Sequence, residues 1–195
     1  MRRFPSTVSV LASVALVGAL TACGGPSASS SPAGAPATEF NPPGDIPDDQ
    51  AFVDFKIPGS AFLVQVPEGW AQRSTGGVTT FTDHYNSVSV DVRARPLAPT
   101  VESARSDELP TLARHVTNFS AGDVVAVTRA HGDAVLITYQ QDSRADPTTG
   151  KVVRDAVERY EFWSHGQEAI VTLSGPTGAD NVDPWRIISD SVRWA

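Results

Sequence analysis

Apolar and polar residues alternate along much of this chain, and a period of two residues is typical of β-strands. The clearest example is Ser87-Val-Ser-Val-Asp-Val-Arg93, where three valines face one side and polar side chains face the other. This pattern predicts a sheet that packs one face on a core and leaves the other face in contact with water. We therefore expect an antiparallel sheet to dominate the fold.

Short loops join the predicted strands in pairs, which favours hairpins. The predicted pairs are strands 78–82 and 87–93 around Asp83-His-Tyr-Asn86, strands 124–129 and 134–140 around residues 131–133, and strands 152–163 and 168–174 around residues 164–167. An earlier strand, 62–66, runs into Pro67-Glu-Gly-Trp70, where proline and glycine favour a turn. Three hairpins predict a largely antiparallel sheet.

Residues 100–119 depart from the period of two and are predicted to be helical. Thr100 is expected to cap this helix, and Pro110 is expected to kink or restart it. The predicted buried stripe consists of Leu112, Ala113 and Val116.

Residues 183–192 form a second predicted helix. Asp183 is expected to cap it, and Pro184 suits the first helical position. A helical period places three apolar residues on the buried face, namely Trp185, Ile188 and Val192.

The N-terminal residues have the pattern of an export signal. Two arginines precede an apolar stretch over residues 8–20, which is too short to span a bilayer and ends in Leu20-Thr-Ala-Cys23. This ending resembles the bacterial lipobox, which implies cleavage between Ala22 and Cys23 and acylation of Cys23, for example by palmitate. The alternative is an ordinary secretory signal cut after Ala22. Because Cys23 is the only cysteine in the chain, we favour a lipoprotein on the extracytoplasmic face of the cell membrane.

Composition divides the chain into three parts. Residues 1–22 are the predicted lipoprotein signal peptide, and residues 23–47, rich in glycine, proline, serine and alanine, form a predicted lipidated, disordered tether. Residues 48–195 form the predicted globular domain. With no cysteine besides Cys23 an intramolecular disulfide is impossible, so this domain depends on a packed core.

Charge excludes one class of partner. The chain carries 15 basic and 22 acidic side chains, and the signal peptide removes only basic ones. Phosphates of nucleic acids and anionic lipid head groups repel a chain of this sign. We expect no nucleic-acid partner, and we expect the acyl chains to hold the protein at the membrane.

The sequence contains no pattern that predicts catalysis. No two of its histidines, His84, His115, His131 and His165, have the spacing that places them on one metal, although a site assembled from distant loops stays open. Motifs for serine nucleophiles, zinc proteases and phosphate-binding loops are missing from the sequence. We predict no catalytic residues, no metal, no cofactor and no enzymatic activity.

Two further sets of residues have a functional and a structural interpretation. Asp83, Asn86 and Asp91, and likewise residues 142–150, offer oxygen ligands for calcium, but their spacing is that of turns, which we favour. The four tryptophans, Trp70, Trp163, Trp185 and Trp194, can line a sugar- or lipid-binding groove or anchor the core. We favour the core.

Several of these segments together resemble a known family. Phe62-Leu-Val-Gln-Val-Pro-Glu-Gly-Trp70, Phe81-Thr-Asp-His-Tyr-Asn86 and the closing Trp185-Arg-Ile-Ile-Ser-Asp-Ser-Val-Arg-Trp194 are similar to the PsbP-like, LpqN-type lipoproteins of actinobacteria. The resemblance covers residues 52–194 and implies an α+β fold, an α/β/α sandwich with a central, mostly antiparallel sheet and two packing helices. It implies a role in the cell envelope and carries no shared catalytic residues.

Three functions compete. The first is a non-enzymatic binding module that docks on an envelope protein, supported by an exposed apolar patch or sheet edge. The second is a lipid or glycolipid carrier, which requires an apolar pocket. The third, an enzyme, requires converging titratable groups. We favour the first.

Overall fold

The computed structural model describes residues 43–57, 59–146 and 148–195. The predicted signal peptide, the predicted lipidation site Cys23 with its neighbour Ala22, and most of the predicted tether lie outside the described residues. No helix within the described ranges has the length and apolar character needed to cross a membrane.

Two antiparallel sheets dominate the structure. The strands are β1 (Phe52–Lys56), β2 (Phe62–Pro67), β3 (Ala71–Thr75), β4 (Val78–Asp83), β5 (Asn86–Ala94), β6 (Ser120–Arg129), β7 (Gly132–Asp142), β8 (Arg154–Ser164), β9 (Gln167–Pro176) and β10 (Arg193–Trp194). The large sheet has seven strands in the order β3-β4-β5-β9-β8-β7-β6, and the small sheet has the order β1-β2-β10.

The three predicted hairpins are confirmed, with turns of two residues each. Asp83 pairs with Asn86, Arg129 with Gly132, and Ser164 with Gln167. Except for Arg129, which was predicted to end a strand, these residues were predicted as loops and belong to the ladders. A two-residue turn needs a positive φ, and His84 adopts +48° there. A fourth hairpin, β3–β4, was not predicted.

Helices complete the two sides of the large sheet. A helical segment starts with α1 (Val101–Ser103), continues through a π-helical turn (Ala104–Glu108) and ends with α2 (Leu109–His115); α3 is Val182–Asp190. The first segment packs on β6 and β7 through a core around Ala104, Val135 and Ile137. The small sheet and α3 cover the opposite face through a larger core. The predicted α/β/α arrangement is confirmed, with the small sheet as an addition.

The first helical segment shows what Pro110 does. Thr100 caps the helix as predicted, through a capping box with Ser103. Because Pro110 has no N–H to donate, a regular helical bond is missing at this point, and Leu109 N–H bonds to the carbonyl of Ala104, five residues back. The segment therefore widens and continues.

The predicted buried stripe of this segment needs a correction. Leu112 and Val116 are half-buried against the core as predicted, but Ala113 is exposed. The widened turn shifts the buried face, which runs from Val101 through the fully buried Ala104.

The start of α3 also differs from its prediction. The helix begins at Val182, so Asn181 takes the N-cap position and Asp183 lies in the first turn. The Asn181 side chain makes no capping bond; it accepts from Ile46 N at 2.8 Å and donates to Asn86 Oδ1 at 3.0 Å. Trp185, Ile188 and Val192 are buried, as predicted.

Packing begins before residue 48. Ile46 is only 3% exposed and lies in the main core. Gly44 accepts hydrogen bonds from both Asn86 and Asn181 and has a φ of +108°. A Cβ there would lie 2.6 Å from Cγ of Pro176, so only glycine fits. Residues 44–46 thus belong to the packed domain, N-terminal to the predicted boundary at 48.

Candidate functional site

A polar cavity of about 690 Å³ lies on the large sheet, on the same face as α1 and α2. The helices cover β6 and β7, and the cavity occupies the part of this face formed by β3, β4, β5 and the adjoining ends of β8 and β9. The closing loop, residues 143–146 together with Lys151, lines one side. The predicted polar face of Ser87–Arg93 thus becomes, at Ser87, the wall of a cavity.

Asp155, near the start of β8, lines this cavity and is only 5% exposed. Its Oδ2 accepts a hydrogen bond from Ser174 Oγ at 3.2 Å. Its Oδ1 is buried and has no hydrogen-bond partner among the described residues. Burial raises the pKa of the Asp155 carboxyl and nearby Asp142 adds to the rise, while the Ser174 hydrogen bond and the charge of Arg154 oppose it. An under-compensated carboxylate therefore lies in the wall of the cavity.

Three cations stand around the cavity in exposed positions: Arg73 on β3, and Arg144 and Lys151 on the closing loop. Within the described parts of the chain, none of the three forms an ion pair with a carboxylate. Lys151 Nζ lies 5.1 Å from the ring centre of Tyr85, a cation–π contact at the β4–β5 turn. The cations are therefore available to a ligand.

Asp146 in the closing loop is committed to its own turn. Its Oδ1 accepts from the backbone N–H of Thr149 at 2.7 Å and of Thr148 at 3.0 Å, and from Thr149 Oγ1 at 2.9 Å. These bonds, with Thr149 first, lower the pKa of Asp146. The turn interpretation of residues 142–150 is confirmed.

Neutral polar side chains form most of the remaining lining, which is completed by Val78, Ala145, His84 and Tyr85. The neutral polar side chains comprise six hydroxyl side chains and two amides, namely Thr75, Thr80, Thr82, Ser87, Ser143, Ser174, Asn86 and Gln141. Asn86, one of the residues considered for calcium, donates to the Gly44 carbonyl at 2.9 Å and has a structural role.

A second polar cluster lies on the same face at the other end of the β8–β9 hairpin. It contains three arginines and three glutamates: Arg93, Arg95, Arg159, Glu108, Glu161 and Glu168. Glu168 has no exposed side-chain surface and accepts from Arg93 Nε at 2.5 Å and from Arg95 Nη1. The cluster balances its charges internally.

Glu108 ties the first helical segment to this cluster. It is the last residue of the π-helical turn, and its carboxylate binds Arg93 Nη2 at 2.7 Å and Arg159 Nη2 at 3.3 Å. Burial raises the pKa of the fully buried Glu161, while Arg159, 3.3 Å away, opposes the rise. The cluster holds the helices on the sheet.

All four histidines are exposed. His84, His131 and His165 lie in β-turns, and His115 ends α2. In the described ranges no group of three or more metal-binding side chains comes together.

The tryptophans follow the predicted structural role for the most part. Trp185 is buried, and Trp70 and Trp194 pack on the main core. Trp163 is half-buried outside that core and donates through Nε1 to the Arg95 carbonyl at 2.8 Å.

The two edges of the large sheet differ in protection. In β6 the register shifts between Ala121 and Val124, a β-bulge of the kind that blunts an edge. All five residues of β3, Ala71–Thr75, are exposed, and their ladder with β4 is regular. An open edge therefore borders the cavity, which Arg73 and Thr75 help to line.

Solved structures share this architecture. The chain superposes on cyanobacterial PsbP (CyanoP) from Synechocystis with a TM-score of 0.51 and 12% identity, over 75% of this chain and 94% of that one. The fold is PsbP-like. The resemblance expected from the sequence is thus confirmed at the level of the fold.

Other neighbours are more distant. LpqN from Mycobacterium tuberculosis, described as involved in cell envelope biogenesis, gives a TM-score of 0.42 at 17% identity over 73% of this chain and 88% of that one. A Bacteroides thetaiotaomicron protein gives 0.49 at 12% identity over 73% of this chain. This chain spans 48% of that protein's length. No family model and no curated protein matches the sequence.

Proposed function

We propose that this chain is a lipid-anchored extracytoplasmic binding protein whose PsbP-like domain docks on a protein of the cell envelope and catalyses no reaction. The lipobox-like ending at Cys23 supports the anchor, and the small polar residues that follow it support a tether. The acidic charge of the chain argues against direct binding to anionic lipids.

The observation that carries the docking role is the open edge of β3. A two-residue turn, Gly76-Gly77, makes Thr75 and Val78 a hydrogen-bonded pair, and such pairs alternate along an antiparallel ladder. Gln72 and Ser74 therefore turn their backbone N–H and C=O groups away from β4. An extended segment of a partner can add to this edge as a further strand.

The alternative role as a lipid or glycolipid carrier requires an apolar pocket for acyl chains. The cavity of about 690 Å³ is instead lined mainly by hydroxyl, amide and charged side chains. Its chemistry favours the docking role over the transport of acyl chains.

Site-specific crosslinking tests the docking role. A photo-crosslinking residue in place of the exposed Ala71 is expected to capture one partner in the native host. Gln72→Pro removes an outward N–H without touching the β3–β4 bonds and should reduce that product severalfold, whereas Gln72→Thr should not. Equal yields from both variants, or the same product from a crosslinker at Asp183 on α3, would contradict docking at β3.

Acylation is tested separately. Cys23→Ser and Cys23→Ala are expected to abolish acylation. Because the acyl chains at Cys23 are the proposed membrane anchor, their loss should release the protein from the membrane fraction. Detergent-phase partitioning of the full-length variants is the measurement. A variant that still partitions into the detergent phase contradicts the anchor.

A further inference from the structure

We propose that the polar cavity binds a saccharide that carries a phosphate or carboxylate group. A sugar hydroxyl would donate to Asp155, and the acidic group would lie against the cations Arg73, Arg144 and Lys151. This inference goes beyond docking at the β3 edge, since it assigns a ligand to the cavity.

The Asp155 carboxylate has a buried oxygen that lacks a hydrogen-bond donor among the described residues. A buried carboxylate with a single hydroxyl donor is costly, and proteins satisfy nearly all buried polar atoms. Two buried carboxylate oxygens lack a hydrogen-bond donor among the described residues, Asp155 Oδ1 and Glu161 Oε2. Glu161 is ion-paired with Arg95 and Arg159, whereas no arginine or lysine pairs with Asp155 in the described part of the chain. The terminal torsion of an aspartate is soft, so a small rotation turns Oδ1 towards the cavity. A ligand hydroxyl can then supply the missing hydrogen bond.

The lining around Asp155 suits a ligand with many hydroxyl groups. Serine, threonine, asparagine and glutamine side chains both donate and accept hydrogen bonds, as sugar hydroxyls do. Ser87 and Gln141 make no side-chain hydrogen bond within the described residues and are free to bind. The ring of Tyr85 adds an aromatic surface beside them.

The cations determine the charge of the ligand. Three basic side chains outnumber the two acidic ones in the lining, and Asp146 is already occupied by its own turn. Two of the cations are arginines, whose planar guanidinium groups bind phosphate or carboxylate in a bidentate manner. A neutral sugar would leave these cations unused.

The volume leaves room for a ligand larger than a single ion. A cavity of about 690 Å³ is within the range of small-molecule sites and far larger than a single ion requires. Inorganic phosphate would reach the cations and leave Asp155 without a donor. An acyl chain would satisfy neither group.

Calorimetric titration of the full-length protein in detergent tests the proposal. Glucose 6-phosphate and glucuronate are the anionic probes, and glucose and inorganic phosphate are the partial ones. We expect saturable binding of at least one anionic probe, at least about tenfold tighter than either partial probe, since one charged hydrogen bond is worth about that factor. No saturable binding of either anionic probe up to about 10 mM, or equal affinity for inorganic phosphate, would overturn the proposal.

Variants separate the two halves of the site. Asp155→Asn is expected to weaken the anionic probe and glucose alike, by about tenfold, whereas Arg73→Glu should weaken the anionic probe alone. Asp183→Asn and Lys56→Glu, the same changes at exposed positions outside the cavity, should leave affinity unchanged. If Asp155→Asn binds as tightly as the parent protein while circular dichroism shows a native fold, Asp155 does not contact the ligand and the proposal is wrong. Gln72→Pro should retain saccharide binding, so a failure of partner docking at β3 can be told apart from a failure of the saccharide proposal.

Discussion

The two ends of the β8–β9 hairpin bury carboxylates on the same face of the sheet in opposite ways. Near the turn, Glu168 has no exposed side-chain surface and receives hydrogen bonds from two arginines. At the open end, Asp155 is 5% exposed and receives one hydrogen bond, from Ser174. The β8–β9 register is continuous from one end to the other, and the two carboxylates differ in charge compensation.

This difference separates a structural role from a binding role. Glu168, with its arginines and Glu108, attaches the first helical segment to the sheet. Glu161 Oε2 in this cluster also lacks a hydrogen bond among the described residues, but Arg95 Nη1 lies 3.7 Å away and compensates its charge. Asp155 lines a cavity, its buried Oδ1 has no hydrogen-bond partner among the described residues, and the three cations around that cavity form no ion pair within the same residues. Folding alone does not favour such a group, because burial raises the pKa of its carboxyl. We infer that the open end is kept for a ligand.

The largest expected effect tests the compensated end. Glu168→Gln removes one charge and leaves Arg93 and Arg95 under-compensated, which should lower the free energy of unfolding by about 3 kcal/mol. Urea denaturation of the full-length protein measures this change. Glu68→Gln, the same change at an exposed residue outside the cluster, is the matched control and should change stability by less than about 0.5 kcal/mol. A loss for Glu168→Gln no larger than that of the control would remove the contrast between the two ends.

A smaller effect of opposite sign is expected at the open end. Asp155→Asn removes a buried charge that lacks a full set of donors, so it should raise the free energy of unfolding at pH 7 by about 1 kcal/mol. Urea denaturation again gives the change. A decrease comparable to that of Glu168→Gln would mean that Asp155 stabilises the fold and is no vacant binding group.

The smallest expected effect is the pH dependence of the stability gained by Asp155→Asn. A carboxyl with a raised folded-state pKa destabilises the fold once both states are ionised, and this penalty disappears below the unfolded pKa of about 3.9. The advantage of Asp155→Asn should therefore grow as pH rises from about 3.9 through the raised pKa and then level off. Denaturation curves for parent and variant at several pH values measure it. An advantage that shrinks with rising pH would contradict the assigned direction.

Much of the fold follows from local patterns in the sequence. The alternation of Val88, Val90 and Val92 predicted β5 and its hairpin, and the apolar face of α3 predicted its packing. Strand β3, Ala71-Gln-Arg-Ser-Thr75, was missed because it has no apolar alternation at an exposed edge. The cap of α3 was misplaced because Asn181 is held by Ile46, which lies 135 residues away in sequence.

The candidate site was harder to predict. Its lining comes from β3, β4, β5, β7, β8, β9 and the closing loop, and only the pairing of these strands brings these residues together. Asp155 follows Arg154 in an ordinary strand pattern, so no local signal shows that its partners are missing. The compensated cluster was equally hidden, because Arg93 and Glu168 are 75 residues apart.

Unfolding and titration of one preparation of Asp155→Asn test the central claim most directly. We expect Asp155→Asn to be more stable than the parent protein at pH 7 and to bind glucose 6-phosphate about tenfold more weakly. Stability and binding would then change in opposite directions at a single residue. A variant that loses stability and keeps its affinity would show that Asp155 is part of the structural core and would contradict its role in ligand binding.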